Sequence, residues 1–71
     1  SVKGVLDTEK CFVRKTGMTF HVDLHINVDG AKTVKEGHDI AHQVKDQMLH
    51  DLPEIADVLI HVEPLDPNLI L

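Results

Sequence analysis

Between Met18 and Asp29 the chain alternates. Phe20, Val22, Leu24, Ile26 and Val28 are apolar, and Thr19, His21, Asp23, His25 and Asn27 fill the positions between them. Successive strand side chains point to opposite faces, so this period of two predicts a half-buried strand over residues 19–28. One face is apolar and the other carries two histidines and an aspartate in a row. Ahead of it, Phe12 and Val13 sit at the centre of a second strand-like run, residues 9–15. Lys15-Thr16-Gly17-Met18 between the two reads as a short turn in which Gly17 takes positive φ, so the pair forms a β-hairpin. With Gly17 at the tip, Glu9 is expected opposite His25, Cys11 opposite Asp23 and Val13 opposite His21. Facing residues share a sheet face, which sends Glu9 and Cys11 to the histidine side and Phe12 to the core beside Val22. A slip of one residue reverses that assignment.

Asp29-Gly30-Ala31-Lys32 is a turn, and Thr33-Val34-Lys35-Glu36 then has the capping-box form. A helix is predicted from residue 34 to about residue 50, with Gly37, Ile40, Ala41, Val44 and Met48 as its apolar stripe. Gly37 lets it approach the sheet closely; His38, His42, Lys45 and Asp46 lie toward its other side; Pro53 and Glu54 close it. A last strand over residues 57–63 has Val58, Ile60 and Val62 in one row and Leu59, His61 and Glu63 in the other, and Pro64 stops it. Leu65–Leu71 reads as an irregular tail. The order strand, strand, helix, strand makes an α+β, ββαβ domain whose second and third strands are parallel, joined by a right-handed crossover. The helix covers one face of a three-stranded mixed sheet. The opposite face is left bare, with His21, Asp23, His25, His61 and Glu63 on it. A second helix before the first strand would complete a two-layer arrangement, and Ser1-Val2-Lys3-Gly4 reads as the cut end of something longer.

Composition narrows the function. Seventy-one residues make one small domain, 1–71, near the lower limit for a self-sufficient core. The mixture of 42% hydrophobic and 27% charged residues is that of a globular chain. A net charge of −5, with no Trp or Tyr, argues against nucleic acid and anionic membrane surfaces as partners. The one cysteine, Cys11, cannot form an internal disulfide. No apolar run spans a membrane, and the first residues do not begin a signal peptide. Six histidines are the compositional oddity.

Imidazole nitrogen and carboxylate oxygen are the ligands of Zn²⁺ and similar ions, at about 2.0–2.2 Å. His61 and Glu63, two apart on a strand, point the same way, and His25 joins them from the neighbouring strand; His38 at the start of the helix stands near the sheet edge. The competing reading is a solvated polar face, since no Cys-x-x-Cys motif is present. His38 and His42 form an i, i+4 pair, but position 39 is Asp where a metalloprotease helix has Glu. His50 suits the helix dipole, His21 is a surface residue, and Cys11 reads as a small buried hydrophobe. Asp23 and Glu63 could be imagined as an acid–base pair, but three strands and one helix leave no room for a substrate pocket. An enzyme is not expected.

Four stretches, taken in order, resemble the cytoplasmic C-terminal domain of the cation diffusion facilitator family, transporters that export Zn²⁺ and related cations. They are Val13-Arg14-Lys15-Thr16-Gly17, Phe20–Val28, Gly37-His38-Asp39-Ile40-Ala41-His42-Gln43-Val44 and Asp57–Pro64. The resemblance implies a metallochaperone-like (ferredoxin-like) fold, helix–strand–strand–helix–strand, whose first helix is absent here. It implies a homodimer on the cytoplasmic face of the inner membrane, below the transmembrane domain of the same transporter, with divalent metal held between subunits and favouring the closed, transport-competent dimer. By motif, His25, His38, His61 and Glu63 fall on the family's metal-ligand positions, and Glu9 falls where some members have histidine. Zn²⁺ is the expected ion, with Fe²⁺, Mn²⁺, Co²⁺ and Cd²⁺ as other divalent candidates, because a carboxylate at position 9 shifts preference toward harder ions. Histidine ligands bind as neutral imidazoles, so binding is expected to weaken below about pH 6.5. The alternatives are a metal-independent dimerisation module and a free-standing soluble metallochaperone.

Overall fold

The structure, a computed structural model, describes residues 2–65. Its elements are β1 (Asp7–Thr16), β2 (Thr19–Asp29), α1 (Val34–Asp51) and β3 (Ile55–Leu65). They form a three-stranded mixed sheet in the order β1-β2-β3, with β1 antiparallel and β3 parallel to β2. This is the expected ββαβ architecture with one helix, and no helix precedes β1 among the described residues. Residues 66–71, most of the tail expected to be irregular, lie outside the described residues.

The alternation in β2 does what its period requires. Val22, Leu24, Ile26 and Val28 are buried, with Ile26 at 0% exposure, and they meet Val58 of β3 and Ile40 and Val44 of α1 in one core. Thr33 caps α1: its hydroxyl accepts from the Glu36 N–H at 3.0 Å, while the Glu36 carboxylate accepts from the Thr33 N–H at 2.9 Å. Two of the helix's otherwise unpaired donors are thereby satisfied. Gly37 is buried at the contact, where an added Cβ would already touch Val62 at 3.6 Å. Lys45 ties the helix to the start of β3 through Asp57 at 3.4 Å. The N-terminal residues strap across α1, and Gly4, at φ 99°, passes so near Ile40 that a Cβ there would lie 2.7 Å from its Cδ1.

An 18-residue helix is about 27 Å long, whereas the molecule extends 43 Å. α1 lies closest to β3 and leaves β1 exposed along its whole length. Met18 at the hairpin tip and Val13 farther back along β1 stand in solvent.

The register of β1 departs from expectation. The turn is two residues, Gly17-Met18, closed by the Thr16–Thr19 pair, with Gly17 at φ 63° and no positive φ at Met18. That is the glycine-first arrangement of a II′ hairpin. Pairing is therefore displaced by one from the expected register: Val13 faces Val22, Phe12 faces Asp23 and Cys11 faces Leu24. Phe12 lies on the open face rather than in the core, and Cys11 is exposed on the helix side of the sheet, not buried. A β-bulge between Thr8 and Lys10 absorbs the extra residue, so that Thr8 faces Ile26 in the register first expected. β3 also runs past Pro64 to Leu65. It is an edge strand, where the missing proline N–H costs no ladder bond.

Candidate metal site on the open sheet face

The uncovered face gathers side chains from all three strands. His25 and His61 are direct partners across β2 and β3, and their rings stack at 4.2 Å between centroids with 8° between planes. His25 Nδ1 lies 2.8 Å from Glu63 Oε1. With Nδ1 protonated the imidazole donates to that carboxylate, which fixes the ring's orientation and leaves Nε2 with a free lone pair. Phe12, brought to this face by the two-residue turn, packs edge-on against His25 at 6.1 Å.

The bulge places Glu9 on the same face, where its carboxyl hydrogen-bonds with Glu63. Two carboxyls this close cannot both ionise freely. The hydrogen bond and the negative charge of Glu63 raise Glu9 above its ordinary value of 4.5. Glu63 is held below that value, first by the bond from Glu9 and then by His25. Lys10, opposite His25, adds a positive charge beside both carboxyls. The Glu63 side chain is 41% exposed and that of His25 19%, so the cluster is open to an ion from solution.

His38 lies elsewhere. It is exposed on α1, on the layer opposite the open face, and borders the groove between α1 and β3. Of the five sequence-predicted ligands, His25, His61, Glu63 and Glu9 share one face and His38 does not. Among the described residues no group of three or more His, Cys, Asp or Glu side chains converges to hold an ion. The four donors are instead laid out along a flat surface. Two imidazoles and two carboxylates nevertheless match the donor chemistry of Zn²⁺ and neighbouring divalent ions. An ion drawing on part of this row would take its remaining ligands from water or a second molecule. Sequence reasoning missed Phe12 and Lys10 as neighbours of the site; a two-residue turn centred between Gly17 and Met18 would have placed both there.

His21 is half-buried, facing Asp57 on the same sheet face. His50 sits in the last turn of α1, 3.0 Å from the Asp51 carboxylate. No helix among the described residues is long and apolar enough to cross a membrane.

The family model for the cytoplasmic domain of cation efflux proteins matches residues 1–65. The uncharacterized transporter YdbO of Bacillus subtilis is 42% identical over 53 residues, covering 75% of this chain and 18% of that protein. The cation-efflux pump FieF of Serratia proteamaculans is 40% identical over 63 residues, covering 89% of this chain and 20% of that protein. The chain thus spans about a fifth of the length of these relatives. Among solved structures, the MamM C-terminal domain superposes with a TM-score of 0.87 at 25% identity, over 90% of this chain and 81% of that one. A cadmium form of a variant of the same domain superposes equally well, at 0.87 and 25% identity, over 90% of this chain and 79% of that one.

Proposed function

Since the chain belongs to the cation efflux protein family, as a cytoplasmic domain of it, we propose that it is a metal-binding regulatory and dimerisation domain of a divalent-cation efflux transporter. The observation that carries this reading is the His61–His25–Glu63–Glu9 row on a sheet face that no element of the described chain covers. Its donors are too flat to enclose an ion alone, which makes a second copy of the domain the natural source of further ligands. His38, on the opposite layer, contributes to such a shared site only from that second copy. The transmembrane part of the same transporter, at the inner membrane, is the partner on which the domain acts.

The mechanism is a population shift. Two copies, each of net charge −5, repel one another. Ions bound at the shared face offset that repulsion and favour the closed pair by their differential affinity for it. His25, pre-oriented by Glu63, and His61 make Zn²⁺ the leading ion, while the hard oxygen donor of Glu9 brings Mn²⁺, Fe²⁺, Co²⁺ and Cd²⁺ into the same class.

The test is zinc titration by calorimetry with parallel small-angle scattering, on the wild-type chain, His25→Ala/His61→Ala and Glu9→Gln. Saturable binding that compacts a dimer, is lost in the double variant and weakens in Glu9→Gln is the expected result. A dimer that forms without metal and is unchanged by it in all three proteins would overturn metal sensing and leave a metal-independent dimerisation module.

A further inference from the structure

Away from the open face, α1 carries a second pair of imidazoles. His38 and His42 are one helical turn apart, so their side chains stand one above the other. Their rings meet edge to face at 4.4 Å between centroids, with 69° between planes. Both residues are exposed, so an ion reaches them without opening the core. The Asp39 carboxylate lies near enough to act electrostatically on both rings while held at 2.9 Å by Lys35. On the other side, Lys45 borders the same groove but is engaged by Asp57.

We propose that His38 and His42 form a two-imidazole chelate for a divalent transition metal of the Cu²⁺, Ni²⁺ or Zn²⁺ class. Histidines at i and i+4 on one helix face are the spacing that brings two ring nitrogens onto one ion. Side-chain rotation that opens the edge-to-face pair turns those nitrogens toward a common point. The lack of any third converging donor among the described residues leaves the other coordination positions to water. Position 39, where a metalloprotease helix carries its Glu, is Asp and is paired with Lys35. This site lies within one chain, goes beyond the shared face, and competes with it for His38.

The experiment is Zn²⁺ titration of the His25→Ala/His61→Ala chain, followed through its histidine ring resonances by NMR, with and without a further His42→Ala change. The expected result is one ion per chain in the double variant, shifting the resonances of His38 and His42 together. Adding His42→Ala weakens that step by about tenfold or more, since even outer-sphere changes cost this much. Alanine favours helix, and circular dichroism checks that α1 is retained. Absence of binding in the double variant, or binding unaffected by His42→Ala, overturns the site. His42→Ala alone leaves the Zn²⁺ response of His25 and His61 in place, so failure of the helix site and failure of the shared site are read separately.

Discussion

Ile26 lies on the central strand β2 at 0% exposure, paired with Val62 of β3. Shortening it to valine removes one methylene from a site whose walls are strands on both sides, so little relaxation can refill the gap. The expected loss is about 1 kcal/mol, within the range for Ile→Val in a packed core. At about 0.05–0.15 kcal/mol per residue the whole domain has about 4–10 kcal/mol to lose, so the variant still folds. For a domain of this size the melting temperature should fall by about 4–8 °C, measured by circular dichroism at fixed protein concentration. Val13→Ala is the matched control. Val13 also faces the helix side, but it is 60% exposed because α1 does not reach it, and its loss should stay within about 0.5 kcal/mol. If Val13→Ala lowers the melting temperature as far as Ile26→Val, β1 is covered in solution and the placement of the core on β2, β3 and α1 alone is wrong.

Two further outcomes follow from the same geometry. Thr33→Ala removes the acceptor for the Glu36 N–H and should cost about 1 kcal/mol, while Thr33→Ser retains the cap; equal melting curves for the two variants would contradict it. The Asp57 carboxylate is held below its ordinary 3.8, first by the Val58 N–H and then by Lys45. A carboxyl with a depressed folded-state value contributes stability that is present above about pH 4 and is lost as pH falls through that lower value. Asp57→Asn should therefore be less stable than wild type in urea at pH 6, and the gap should close as pH is taken toward 2; a gap independent of pH would refute the role of the charge.

The central strand and the helix were legible because each repeats one signal many times. Five apolar residues at a period of two locate β2, and the Thr33–Glu36 box with the Ile40–Val44 stripe locates α1. The donor face followed from the same alternation, since His25, His61 and Glu63 occupy positions that the core does not want. The hairpin register was not legible, because it hangs on whether the turn is centred on Gly17 or between Gly17 and Met18, a difference of half a residue that the β1 side chains from Lys10 to Thr16 inherit. The bulge at Glu9 has no composition of its own and cancels that shift, which is why Glu9 reaches the histidine side although Cys11 and Phe12 exchange faces. His38 illustrates a different limit. A period of 3.6 assigns it to a helix face, but which layer of the molecule that face serves depends on tertiary packing.

The bulge has a consequence for how the site can change. An ordinary strand residue is locked into a ladder pair, and altering it disturbs the partner across the strand. Glu9 is the residue that the pairing skips: Thr8 and Lys10 carry the ladder on either side of it. Its side chain is directed at Glu63 without bearing on the core, so histidine, aspartate or glutamine can stand there with the sheet intact. Position 9 works as an interchangeable fitting on a fixed mount, through which the charge and polarity of the open sheet face can be retuned one side chain at a time.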